Sequence, residues 1–267
     1  MPLIPGIDGV GRLADGRRVY FVAPDTSFGT LAEQSVIDLR RSVPLSEDVD
    51  PVQIAAAMNP AMSSWVALRR RVEFQPGHSV LVLGATGNSG QMAVQIAKLL
   101  GASQVIGAGR DPDRLESLPA LGADSVVSLA GDPKEAADRL GEAASEADFV
   151  IDYLWGEPAE LAMISMLTKR SDRSRALCWI QIGSVAGAAA AVPSAALRSA
   201  NFQLLGSGQG SVTTAGYMAE FPALIDAIAA GKLKVNASPL PLSQVEEAWN
   251  APSDPGKRVV FVPAAGC

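Results

Sequence analysis

The chain has 267 residues, of which 48% are hydrophobic and 19% charged, a balance that excludes a disordered chain and is typical of a globular protein. The net charge is -6 with both signs interspersed, so there is no basic stripe that would bind nucleic acid. No apolar run reaches the roughly 18 residues of a membrane span, and no signal peptide is visible. The two cysteines are too few for a disulfide framework or a cysteine-rich zinc site. We therefore expect a cytoplasmic protein without a membrane partner.

The first 68 residues predict β structure that is interrupted by turns. Short apolar runs at Arg18–Ala23 and Leu31–Val36 lie between glycines and prolines, as is typical of strands joined by loops. From Val52 onwards, apolar residues recur at helical spacing. A helix is therefore expected to lead out of this region.

Residues 69–235 alternate between strand and helix patterns. Ser79–Leu83 is a continuous apolar run, as expected of a strand that is covered on both faces, and Gly90–Leu100 has apolar residues at helical spacing. Five further strands are predicted, at Gln104–Ala108, Asp124–Leu129, Asp148–Tyr153, Ala176–Ile182 and Phe202–Leu205. Repeated β-α-β units predict an α/β fold with a Rossmann-type, doubly wound parallel sheet.

The C-terminal part predicts a return to the smaller domain. Its expected elements are a helix near Met218–Ala230, a proline-rich link at Ser238–Pro241, a short helix around Gln244–Asn250 and a strand at Arg258–Val262. We assign residues 69–235 to the Rossmann domain, and residues 1–68 plus 236–267 to a second, smaller β domain.

A glycine-rich turn, Gly84–Gly90 (GATGNSG), connects the first Rossmann strand to its helix. Glycine lets the backbone approach a pyrophosphate, and the helix N-terminus offers unpaired N–H groups to the phosphates. Ala85 replaces the first glycine of the strict G-x-G-x-x-G pattern, whereas the other two are kept. The alternative is a tight turn without a ligand, but the flanking strand and helix favour a dinucleotide site. Its expected cofactor contacts come from Thr86, Gly87, Asn88, Ser89 and Gly90.

The choice between NADP and NAD depends on the residues about 20 positions after this turn. Arg110 stands there, and its guanidinium would suit a 2′-phosphate, which favours NADP(H). In the alternative, the carboxylate of Asp111 binds the ribose 2′-hydroxyl, which favours NAD. Because Pro112 follows, we interpret Asp111 as the N-cap of the next helix.

Short motifs along the whole chain, taken in their order, resemble those of a known enzyme family. They include Pro5–Gly11 (PGIDGVG), Gly29–Glu33 (GTLAE), Leu121–Asp124 (LGAD), Gly183-Ser184 and Gly256-Lys257. In this order, the chain resembles the zinc-free medium-chain dehydrogenases/reductases of the quinone oxidoreductase type. That resemblance implies a smaller GroES-like substrate domain, here N-terminally incomplete because the family usually begins with further strands. It also implies a homodimer that pairs the last Rossmann strand, Phe202–Gly206, edge to edge.

The resemblance further implies hydride transfer from NADPH to a quinone, an enone or another α,β-unsaturated carbonyl. Ser63 takes the place of a threonine that lies near the nicotinamide in similar enzymes, so Asn59 and Ser63 are the catalytic candidates. Gly183 and Ser184 lie at a strand end, where cofactor contacts cluster. Tyr153 and Trp155 follow the fourth strand and either line a cleft or pack.

No zinc is expected. The histidine of the family's zinc-binding G-H-E motif is absent, and the single histidine, His78, lies in a turn away from other potential ligands.

Two alternative functions differ in their sequence requirements. A short-chain dehydrogenase needs a Tyr-x-x-x-Lys pair, which the chain lacks. A non-catalytic NADP(H) sensor stays open, since Gly84–Gly90 also resembles the phosphate turn of NmrA-like regulators.

Overall fold

The computed structural model describes residues 3–23, 27–251 and 256–264. The strands are β1 Asp8–Arg12, β2 Arg18–Val22, β3 Ser42–Pro44, β4 Ser79–Leu83, β5 Gln104–Gly109, β6 Ser125–Ser128, β7 Phe149–Asp152, β8 Leu177–Gln181, β9 Phe202–Gly206, β10 Ala237–Pro241 and β11 Arg258–Val262. The helices are α1 Pro51–Val66, α2 Asn88–Leu99, α3 Pro112–Ser117, α4 Pro133–Ala144, α5 Gly156–Lys169, α6 Ser194–Ser199, α7 Thr214–Ala229 and α8 Val245–Asn250. Within these described ranges, no helix combines the length and the apolarity that crossing a bilayer requires.

A six-stranded sheet forms the centre of the larger unit, residues 63–212. Its strand order is β6-β5-β4-β7-β8-β9, and every neighbouring pair is parallel. The chain first winds outward from β4 to β6 and then returns to build β7 to β9 on the other side. This is the predicted doubly wound Rossmann sheet, and its order reverses between β4 and β7.

The predicted Rossmann strands match the structure closely because long apolar runs are buried on both faces. Strand β4 has the predicted bounds, and all five of its residues are buried. The other five strands differ from the predicted ranges by one residue at one or both ends.

The smaller unit, residues 1–62 with 213–267, contains an antiparallel sheet in the order β1-β2-β3. Tyr20 of β2 has no exposed surface, and its ring meets Phe221 of α7 edge to face at 5.6 Å. Helix α7 therefore belongs to this unit, whereas the sequence-based boundary at 235/236 would place it in the Rossmann domain.

Two local predictions for the smaller unit were wrong. Leu31–Val36 contains no regular strand. The proline-rich link predicted at Ser238–Pro241 is part of strand β10, which pairs in parallel with β11. Prolines are compatible with this two-stranded sheet because a strand with only one neighbour does not need an N–H group on its other edge.

A buried arginine in the larger unit forms hydrogen bonds to the two connections that precede β7 and β8. Arg170, directly after α5, is 3% exposed. Its guanidinium donates to the carbonyl oxygens of Ser145, Ala147 (3.0 Å), Arg175 (3.3 Å) and Ala176 (3.0 Å). These carbonyls lie in the connections that precede β7 and β8, so one side chain anchors both connections.

Replacing Arg170 with methionine should lower the free energy of unfolding by about 2–4 kcal/mol, because buried carbonyl groups lose their donors. Urea denaturation followed by circular dichroism measures the change. The matched control is Arg173→Met, at an exposed position of the same loop, which should change stability by less than about 0.5 kcal/mol. Equal stabilities of the two variants would contradict the anchoring role of Arg170.

Candidate nucleotide-binding site

The turn after β4 folds back against the start of α2. The amides of Gly84 and Ala85 both donate to the carbonyl oxygen of Ala108 at 2.9 Å, which fixes the turn to the end of β5. Gly84 has a φ of +83°, a conformation that favours glycine. A Cβ on Gly90 would lie 2.2 Å from the carbonyl oxygen of Gly84, so only glycine fits there.

The N-terminus of α2 is open to a ligand at its cap position. Gly87 is the N-cap residue, is exposed, and has no side chain that could cap the helix. The first-turn amides of Asn88, Ser89 and Gly90 lie at the end of the helix that carries the positive partial charge. This geometry fits the diphosphate of a dinucleotide, because backbone amides and the helix dipole would both interact with the anion.

Thr86 lies half-buried in the same turn. A Cβ on Gly109 would come within 2.5 Å of the Thr86 side chain, so glycine at the end of β5 makes room for it. Sequence reasoning missed the role of Gly109. The signal was present, since glycine stands between the apolar strand and Arg110.

The residues proposed to distinguish NADP from NAD come directly after β5 in the sequence. Arg110 is exposed at the carboxyl end of β5. Asp111 is the N-cap of α3: its carboxylate accepts from the backbone N–H of Arg114 at 3.1 Å, and Pro112 is the first helical residue. The structure thus confirms the capping interpretation of Asp111.

At the point where the strand order reverses, Asp152 ends β7 and has no exposed surface. One carboxylate oxygen accepts from the backbone amides of Leu154 (2.8 Å) and Trp155 (3.0 Å). The other accepts from the indole N–H of Trp179 at 3.0 Å. Burial raises the pKa of Asp152, although these hydrogen bonds favour the charged form. Asp152 therefore fixes the start of the loop that follows β7.

That loop has an unusual backbone. Trp155, with a φ of 53°, is the one non-glycine residue with a positive φ among those that the structure describes. Gly156 follows with a φ of 63°, and a Cβ there would lie 3.0 Å from the carbonyl oxygen of Ala186. The loops after β7 and β8 therefore pack backbone against backbone.

Tyr153 connects three of the predicted site regions. Its phenol oxygen lies 2.9 Å from the hydroxyl of Ser63, although 90 residues separate the two in sequence. A Cβ on Gly183 would lie 2.8 Å from the Tyr153 carbonyl oxygen, and a Cβ on Gly84 would lie 3.3 Å from the Tyr153 Cβ. Burial raises the pKa of Tyr153 to about 12, so the phenol keeps its proton at neutral pH.

The described hydrogen bonds do not join the two remaining predicted residues, Ser184 and Asn59, to this cluster. Ser184 is exposed, one position beyond Gly183. Asn59 is half-buried in α1, four residues before Ser63. Helix α1 continues through Pro60, the residue after Asn59.

His78 packs in an aromatic cluster. Its Nδ1 accepts from the backbone amide of Gln75 at 3.0 Å, and its ring centroid lies 5.1 Å from that of Phe149. In the described part of the chain, no three His, Cys, Asp or Glu side chains are grouped in a way that could hold a metal ion.

Comparison of the sequence with known proteins identifies the family to which the chain belongs. Residues 90–230, more than half of the chain, match the family model described as zinc-binding dehydrogenase. The probable NADPH-dependent quinone reductase tdiC of Emericella nidulans is 31% identical over 98% of this chain and 84% of its own length. The chloroplastic NADPH-dependent alkenal/one oxidoreductase of Arabidopsis thaliana is 27% identical, over 48% of this chain and 37% of its own length.

A solved structure supports the same relationship. The quinone oxidoreductase from Thermus thermophilus, whose complex with NADPH is also known, is 26% identical and superimposes with a TM-score of 0.75 over 96% of this chain and 79% of its own. The small antiparallel sheet β1-β2-β3 corresponds to the GroES-like sheet of such enzymes. The chain therefore belongs to the zinc-binding dehydrogenase family and is a medium-chain dehydrogenase/reductase of the quinone-oxidoreductase-like type.

Proposed function

We propose that this protein is an NADPH-dependent oxidoreductase that reduces a quinone, an enone or a related α,β-unsaturated carbonyl. The observation that carries the proposal is the open N-terminus of α2, held by the contact between Gly90 and Gly84. The names of the relatives support the cofactor and the class of acceptor, since they include an NADPH-dependent quinone reductase and an NADPH-dependent alkenal/one oxidoreductase.

In this proposal, different parts of the cofactor are bound by different groups of the protein. The diphosphate binds to the amides of residues 88–90, with Thr86 and Gly87 completing the turn. Arg110 pairs with the 2′-phosphate, because its exposed guanidinium stands at the end of the neighbouring strand. Residues Ser63, Gly183 and Ser184 orient the nicotinamide half near the carboxyl ends of β7 and β8.

When bound, the reduced nicotinamide supplies a hydride, and the acceptor also takes up a proton. The protein orients the reacting groups and stabilises the negative charge that develops on the acceptor oxygen. We assign this stabilisation to hydrogen-bond donors, with Asn59 and Ser63 as the candidates. Zinc is not part of the proposed chemistry, because the sequence lacks the histidine of the family's zinc-binding G-H-E motif.

The proposal includes a homodimer that forms along strand β9. This strand is the last in the order of the sheet, so one of its edges has no neighbour among the strands of the described residues. An edge of this kind pairs readily with a second copy of the same strand. Sedimentation equilibrium would measure the oligomeric state.

Turnover tests the proposed activity directly. The purified protein should oxidise NADPH when 1,4-benzoquinone or an aliphatic enone is added, and the absorbance at the NADPH maximum should fall. NADPH without an acceptor is the control. Binding of NADPH without turnover across a panel of quinones and enones would instead support the non-catalytic NADP(H) sensor.

Arg110→Ala tests the choice of cofactor. Losing a charge-assisted contact should cost about 1.5–3 kcal/mol, which corresponds to a roughly 10- to 150-fold weaker affinity for NADPH. The affinity for NADH should change little. Fluorescence titration measures both, with Arg198→Ala, at another exposed arginine, as the matched control. An equal effect on both cofactors would contradict the role of Arg110.

Ser89→Asp tests whether the diphosphate binds at the start of α2. A carboxylate in the first helical turn stabilises the helix but repels a bound anion, so both NADPH and NADH should bind roughly 10-fold more weakly or worse. Thermal stability should not fall. Thr214→Asp places the same charge at the start of α7 and should leave both affinities unchanged. Unaltered affinities in Ser89→Asp would show that the anion binds elsewhere.

A further inference from the structure

The Tyr153 side chain reaches from the end of β7 to helix α1. Its backbone amide donates to the carbonyl oxygen of Leu83 at 3.1 Å, and its carbonyl oxygen accepts from the amide of Val185 at 3.3 Å. The residue is therefore held by the end of β4 on one side and by the loop after β8 on the other. Asp152 fixes the next two amides of the same loop, so the direction of the phenol is well defined.

The phenol lies beside two serine hydroxyls of α1. Ser63 is 2.9 Å away and half-buried, whereas Ser64 has no exposed surface and also forms a hydrogen bond with Tyr153. A phenol has one proton to donate and can also accept hydrogen bonds. If it accepts from the buried Ser64, its own proton is directed to Ser63.

We propose that Tyr153 is a positioning residue, which holds the hydroxyl of Ser63 in the orientation that binds the nicotinamide half of the cofactor. This inference rests on the proposed function, because it takes Ser63 as a residue that contacts the nicotinamide. Tyr153 acts through Ser63 and does not itself touch the cofactor. Its phenol and the Ser63 hydroxyl are both uncharged in the neutral pH range, so the arrangement is the same throughout that range.

The experiment compares two probes that share the adenosine half of the cofactor. NADPH carries the nicotinamide, whereas adenosine 2′,5′-bisphosphate lacks it. Isothermal titration calorimetry on the full chain gives both affinities. Tyr153→Phe should weaken NADPH binding about 3- to 10-fold, as expected for one lost hydrogen bond, and should leave adenosine 2′,5′-bisphosphate unchanged. Tyr217→Phe removes a phenol from α7 as the matched control and should change neither affinity.

A double-mutant cycle tests whether Tyr153 acts through Ser63. In a Ser63→Ala background, Tyr153→Phe should change the NADPH affinity less than about 2-fold, because the hydroxyl that it orients is gone. Ser63→Thr, which keeps a hydroxyl, should retain most of the affinity. Losses that multiply in the double variant would overturn the proposal, since Tyr153 would then act independently of Ser63.

The outcomes also separate this inference from the proposed function. If the wild-type protein binds neither probe, the proposed function fails and the role of Tyr153 fails with it. If the wild type binds both probes and Tyr153→Phe binds NADPH equally well, only the positioning role is overturned. Equal weakening of both probes by Tyr153→Phe would also overturn it, because a general disturbance of the fold would then explain the loss.

Discussion

The close approach of the Gly90 backbone to the carbonyl oxygen of Gly84 is the contact on which the nucleotide site depends. A single added methyl group would overlap that oxygen, at 2.2 Å, so the contact exists only because position 90 has no side chain. It places the first turn of α2 directly at the end of β4. The amides that would bind an anion are thereby fixed by the sheet itself and do not depend on a mobile loop.

The two halves of the candidate site differ in the interactions that build them. The phosphate half consists of backbone groups, whose positions follow from strand pairing and from glycine geometry. The proposed nicotinamide half depends on side chains, because the hydroxyl of Ser63 in α1 is hydrogen-bonded to the phenol of Tyr153 in the loop after β7. Changes of sequence can therefore alter the second half without disturbing the first.

Local sequence patterns were sufficient to predict the Rossmann sheet, the glycine-rich turn between β4 and α2, and the cap of α3. In each of these, the cause lies within a few neighbouring residues: an apolar run, a glycine spacing, or an aspartate before a proline. The pairing of β10 with β11 depends on a partner that follows in a separate segment, so Ser238–Pro241 looked like a link. The hydrogen bond of Tyr153 was unpredictable for the same reason, since its partner Ser63 lies 90 residues earlier.

The carboxylate of Asp152 links the interior of the sheet to the loop at the carboxyl end of β7. One oxygen is bound to the indole of Trp179, which has no exposed surface, and the other holds the amides of residues 154 and 155. Trp155 adopts a backbone conformation that costs on the order of 1–3 kcal/mol and persists only where the surroundings enforce it. Repacking of the core around Trp179 would therefore be transmitted, through one buried side chain, to the backbone conformation of the loop after β7.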